Sequence, residues 1–229
     1  MTSELIIGIS GKAEHGKDTL ADAINGELFQ SARLTRRNFA DALKEDASEI
    51  LVHNLRHEGA WLYRWLEDSL DGPMTPLDFI NSIKHIPQVR SFLQHYGQAQ
   101  RAGNPDYWIH RLMEWLKMHK AAMARLTYQT QPPIHYNGLI ISDVRYPNEA
   151  EHIRALGGMV LRVERFNEDG TPYENRLSPE ARAHDSETAL DDYPHFAYHI
   201  RNVSGFKIDV PTEVLDYATS QPCADPTRV

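Results

Sequence analysis

Apolar and polar positions follow two rhythms along this chain. Short apolar runs at 5–9, "GLIISD" (138–143), "MVLRVER" (159–165) and "FAYHIRN" (196–202) read as buried strands. Between them the spacing is helical. Leu20, Ala23, Ile24 and Leu28 share one face over 17–29, a second helix over 148–156 is stopped by Gly157-Gly158, and a last one covers 211–218. A further strand at 34–39 carries arginines. Residues 40–123 are mainly helical, broken at Gly72-Pro73, Pro76, Pro87 and Gly103-Asn104-Pro105.

Strands alternating with helices predict an α/β fold with a parallel sheet covered on both faces. The helical run between the second and third strands is too long for a plain crossover, so about 45–104 is expected as an inserted subdomain. Residues 166–187, polar and holding Gly170, Pro172 and Pro179, read as a lid, drawn at about 165–190. The whole is expected as one domain over 1–219, with 220–229 a disordered tail.

Composition narrows the function classes. The chain has 229 residues, enough for one domain, and 41% apolar residues, enough for a core. No segment is long and apolar enough to span a membrane. No basic-then-apolar start with a cleavage site is seen, so no secretory signal is expected. The formal net charge of -8 argues against sequence-independent binding of duplex DNA, although a basic pocket on an acidic protein is common. Cys223 is the one cysteine, which fits a reducing cytoplasm.

The chemistry begins in "LIIGISGKAEHGKDTLAD" (5–22). Gly11, four residues, Gly16 and Lys17 lie between a strand and a helix, the context in which a glycine loop turns its N–H groups toward phosphate oxygens. Lys17 then bridges the terminal phosphates. The residue after the lysine is Asp18 where a Ser or Thr commonly binds Mg²⁺, and Thr19 follows. Gly-Lys-Asp-Thr resembles the Gly-Lys-Gly-Thr of nucleoside monophosphate kinases. Asp143, at the end of its strand, can hold Mg²⁺ through water or serve as a helix cap. Arg145 is a phosphate clamp or a surface arginine. Asp41 and Lys44 contact a sugar, base or phosphate, or simply pair. Gln94, Gln98, Gln100 and Arg101 can read a base and grip a monophosphate, while Tyr107, Trp108 and Ile109 also suit helix packing. Arg165, Arg176 and Arg182 lead to "HDSE" (184–187), where Ser186 and Glu187 can instead begin a helix. Three histidine pairs lack a third zinc ligand, and no Gly-x-Ser-x-Gly elbow occurs.

In order, "GISGKAEHGKDTLAD", "NFADALKED", "LQHYGQAQRAGNPDYWI", "ISDVRYPNEAEHIRALGGMVLRVER", "HDSE" and "IRN" resemble the bacteriophage deoxynucleoside monophosphate kinases over most of 5–205, weakly across 46–90. The resemblance implies a three-layer P-loop kinase fold with five parallel strands, a helical monophosphate-binding insertion and a lid. It implies ATP, Mg²⁺, transfer of the γ-phosphate to a deoxynucleoside monophosphate, and a homodimer as one assembly. Gly11, Lys12, His15, Gly16, Lys17, Asp18 and Thr19 then hold ATP phosphates, and Asn202 borders the adenine. Asp41, Lys44, Gln94, Gly97, Arg101, Trp108, Arg145 and Glu149 hold the acceptor. Arg165, Arg176, Arg182, His184 and Glu187 form the lid, and Asp18 or Asp143 meets the metal. "GQAQR" stands where a Gly-Thr start is expected. Other readings are a P-loop kinase for phosphomevalonate or dephospho-coenzyme A, a nucleotide-binding module without turnover, and, against the acidic charge, a kinase for polymeric DNA.

Overall fold

The apolar runs pair as parallel strands. This computed structural model describes residues 5–28, 34–58, 75–84, 86–127 and 137–220; of the expected tail only Ser220 is among them, ending the last helix, while 221–229 with Cys223 and the Gly72-Pro73 break lie outside. The strands are β1 Ile6–Ser10, β2 Thr35–Arg36, β3 Leu139–Val144, β4 Met159–Phe166 and β5 Tyr198–Val203. The helices are α1 Lys17–Glu27, α2 Phe39–Glu58, α3 Pro76–Ile83, α4 Pro87–Gly103, α5 Tyr107–Thr127, α6 Pro147–Ala155, α7 Pro179–Arg182, α8 Asp185–Thr188 and α9 Thr212–Ser220. The chain divides into two compact units, 1–38 with 113–229, and 39–112.

The first unit holds the sheet, in the order β2-β3-β1-β4-β5 and parallel throughout. Ile7 lies beside Ile140 on one side and Met159 on the other. The central strands open on apolar residues, Ile6–Ile7, Leu139–Ile141 and Met159–Leu161, because both faces are covered there, and turn polar toward their carboxyl ends at Ser10, Ser142 and Arg162. Ile7 and Ile9 belong to a buried cluster with Leu20 and Ile24 of α1 and with Val214 and Ala218 of α9. Gly8 points to the opposite face, where a Cβ would collide with Ile153 of α6. This layering is compatible with a three-layer α/β fold. Burial of Leu20 or Ile24 contributes on the order of 1.5–3 kcal/mol each. From β1 the chain crosses to β2 and returns to β3 on one flank, then proceeds to β4 and β5 on the other. Such a reversal opens a crevice beyond the carboxyl end of β1.

Strand β2 is shorter than the expected 34–39. Asn38 ends it: its side-chain oxygen accepts the Ser142 N–H at 2.8 Å, so a side chain takes over there from the backbone ladder.

The second unit is helical and contains much of the expected insertion. Helix α3 begins with a reciprocal capping box between Thr75 and Asp78 and with Pro76 in its first turn. Helix α2 packs against α3 and α4. Gly97 is buried, and a Cβ there would meet Leu43 Cδ1 of α2 at 2.5 Å, so glycine sets how closely α4 approaches. Trp108 is 2% exposed and donates its indole N–H to the Gly97 carbonyl at 3.3 Å. Asp46, which the sequence reading passed over, accepts from Arg111 at 2.5 Å and from the Tyr107 hydroxyl at 3.3 Å.

Candidate functional site

The loop from Gly11 to Gly16 fills the crevice at the end of β1. Gly11 sits so close to β4 that a Cβ would lie 2.7 Å from the Val163 carbonyl oxygen. Gly16, at the start of α1, has φ 93°, and Glu14 also adopts a left-handed conformation at φ 64°. Two distant residues hold the loop down. The Asn202 side-chain N–H donates to the His15 carbonyl at 2.9 Å, and the Arg165 backbone N–H donates to His15 Nδ1 at 3.2 Å. Burial, aided by the positive charges of Lys17, Arg162 and Lys12, lowers the His15 pKa and favours the neutral imidazole that this bond requires.

Lys17 curls back over the loop, donating from Nζ to the carbonyls of Gly11 (2.7 Å) and Lys12 (2.9 Å). Burial and then the Arg145 guanidinium depress its pKa to about 8, with Glu187, Asp143 and Asp18 opposing the shift. A lysine whose ammonium is partly desolvated is poised to gain from an arriving anion.

Asp18 does not stand alone. Its carboxylate accepts from Arg36 Nη2 and, at 2.8 Å, from the Ser142 hydroxyl. Arg36 also donates to Asp22 at 3.2 Å. Neither Arg36 nor Ser142 was singled out from sequence. Asp143 is half-buried at the end of β3, within electrostatic reach of Lys17. Among the described residues no group of three or more His, Cys, Asp or Glu is arranged to hold a metal. Mg²⁺ asks less of a protein in phosphate chemistry, commonly one or two carboxylates and the phosphates themselves. Asp143 and Asp18 satisfy that donor chemistry.

Arg145 follows β3 directly. Its backbone N–H and that of Tyr146 donate to Glu149 Oε2, at 2.9 and 3.2 Å. Glu149 itself is 2% exposed and shapes the turn from inside, a role the sequence did not suggest. The Arg145 guanidinium donates from Nη1 to the Ser186 carbonyl at 2.8 Å and to Glu187 Oε1. Glu187 Oε2 accepts the Ala13 N–H of the glycine loop at 2.7 Å.

The segment expected to form a lid is thus fastened to the loop. Its Tyr173 N–H bonds back to the Arg165 carbonyl at 3.0 Å. Glu14 accepts from the Tyr173 hydroxyl at 3.0 Å and the Arg176 N–H at 3.2 Å, and these bonds lower its pKa. Asp191 bridges Lys12 and Arg162, each at 2.9 Å. His184 caps α8 by accepting the Ser186 N–H at 3.2 Å. Arg165 lies over the Tyr173 ring at 4.2 Å and donates to the Ser204 hydroxyl and the Glu14 carbonyl, both at 3.1 Å. Arg182 bonds locally, to the Leu177 carbonyl at 3.0 Å, and is not among the cleft-lining residues.

A cleft of about 610 Å³ opens beside α1, running from Lys17, Asp18 and Thr19 past Arg165 and Arg176 to Asn202 and the turn at 203–206. Phe206 lines it while 69% exposed, and sequence reasoning passed over it because a lone aromatic in a turn has no periodicity.

In the second unit Asp41 and Lys44 pair at 3.3 Å on α2, with side chains 16% and 18% exposed. Gln94 is exposed and Arg101 half-buried on α4. Gly97 and Trp108, grouped with them in the sequence reading, are buried packing positions, and an aromatic locked between helices has no face left for a base. No protein-family model matches the chain, and a search of curated proteins finds no significant match. Among the described residues no helix is long and apolar enough to cross a membrane.

Proposed function

We propose that this protein is a kinase that transfers the ATP γ-phosphate to a deoxynucleoside monophosphate, yielding ADP and the diphosphate. The observation that carries the reading is the cleft itself. It begins at a glycine loop with a half-desolvated lysine and ends at an exposed aromatic beside Asn202, a shape and lining suited to a nucleoside triphosphate. The loop and Lys17 would receive the phosphates, and Asn202 and Phe206 would border the base. The acceptor is assigned to Asp41, Lys44, Gln94 and Arg101 of the second unit.

Mg²⁺, when bound by the phosphates with Asp143, would neutralise charge on the transferring group, Asp18 being already engaged by Arg36 and Ser142. The chain's own residues do the rest. A phosphate dianion needs no strong base, so catalysis reduces to alignment and neutralisation. Lys17 exchanges two carbonyl partners for phosphate oxygens. Arg145 and Arg165 bring positive charge already anchored by other bonds, and Tyr173 and Arg176 shield the cleft from water.

The test is direct. The protein is incubated with ATP, Mg²⁺ and each deoxynucleoside monophosphate in turn, modified pyrimidines included, and ADP is followed. Release that depends on one acceptor is expected; a rate equal to the acceptor-free blank with every one sinks the reading.

A further inference from the structure

Among the described residues, Arg145 is gripped at one end only. Both of its side-chain bonds, to the Ser186 carbonyl and to Glu187, leave from Nη1, and the side chain is 29% exposed. The Nε and Nη2 edge remains for a ligand. Glu187 is the buried partner, its side chain 7% exposed, and its second oxygen holds the Ala13 N–H. One carboxylate therefore spans the glycine loop and the arginine that follows β3. Asp191, four residues on, repeats the arrangement between Lys12 of the loop and Arg162 of β4.

We propose that the 184–191 segment is a positioning strut, in which Glu187 sets the guanidinium of Arg145 at a fixed place relative to the glycine loop. The inference rests on the kinase reading, in which Arg145 meets a phosphate; Glu187 itself meets none. A flexible arginine supplies the same charge wherever it points, whereas transfer needs it in one place. The two acceptor oxygens of Glu187 cannot be replaced by an amide, which has one oxygen and one NH₂ donor. Glu187→Gln keeps the volume, but its single remaining carbonyl oxygen can serve Ala13 or Arg145, not both.

Turnover and labelling together test this. In a cycle with Arg145→Ala, Glu187→Gln should lower kcat about 10²-fold in the wild-type background. It should leave KM for ATP within about threefold, and cost less than about threefold once Arg145 is gone. Equal losses in both backgrounds, or an unchanged kcat, overturn the proposal. Phenylglyoxal labelling of Arg145 in the ligand-free protein, mapped by peptide mass spectrometry, needs no turnover. Glu187→Gln should label at Arg145 about threefold faster or more, with Arg176 unchanged as control; equal rates overturn the proposal. If wild type phosphorylates no acceptor, the kinase reading alone fails and the labelling decides the strut. Should Glu187→Gln fail to fold, Glu187→Asp, with the charge drawn back by one methylene, is measured in its place, under the same overturning outcomes.

Discussion

The Asn202 side chain donates to the His15 carbonyl at 2.9 Å, tying the last strand of the sheet to the glycine loop across 187 residues of sequence. The same amide closes the space beside Gly16. A Cβ at Gly16 would fall onto Asn202 Nδ2, on a backbone already at φ 93°. Gly16→Ala is therefore expected to destabilise the protein by at least about 1–2 kcal/mol from the left-handed backbone alone, read by thermal unfolding. It should also abolish nucleotide binding, read by calorimetric titration, because the loop cannot close.

Lys17 yields a prediction with a sign. Its pKa of about 8 lies below the 10.5 of the exposed amine. Between those values the unfolded chain holds more protons, so this group adds stability as pH rises through that window. Bound phosphate should return the pKa toward its ordinary value. Nucleotide binding is then expected to take up about 0.1 proton at pH 7 and about 0.9 at pH 9. Titrations at both pH values, in buffers of different ionisation enthalpy, measure it. Lys17→Met should lose the difference together with most of the affinity.

Asp18 and Asp143 are expected to separate by their Mg²⁺ dependence. Asp18 is already engaged by Arg36 and Ser142, and its side chain is 73% exposed, so Asp18→Ala should cost under about 1 kcal/mol of stability. It should shift half-saturation by Mg²⁺ little. Asp143→Asn should raise it by about tenfold or more. Magnesium titrations of ADP release make the comparison, and the opposite ranking would move the metal to Asp18.

Phe206 is 69% exposed, so Phe206→Ala should leave the unfolding temperature nearly unchanged. Loss of a stacking surface should weaken ATP binding about tenfold. Inorganic tripolyphosphate, which has no base, should bind wild type and variant alike.

What could be read from the sequence follows from local physics. Strands β1, β3 and β4 announce themselves because burial on both faces requires a short apolar run where each begins. Strand β2 does not, since two residues at the sheet edge leave no pattern. The glycine loop was legible because turn, charge and helix start are all local. The contacts that organise it were not. Ala13 with Glu187 and Asp18 with Ser142 are separated by 174 and 124 residues, and no periodicity encodes such a pairing. Trp108 and Glu149 show the converse ambiguity. Aromatic and acidic types that suit a ligand also suit a buried packing or capping role, and only coordinates distinguish the two.

The one-sided hold on Arg145 bears on what else could occupy that position. Lysine carries equal charge, yet its ammonium offers one nitrogen with three donors, and Ser186 and Glu187 would claim two of them. A lone hydrogen would remain, with no second edge to turn outward. If Arg145 meets a phosphate as proposed, side-chain shape, more than electric charge, favours a planar fork at this place in the chain, and a swap that looks mild on paper is expected to cost turnover nearly as much as alanine does.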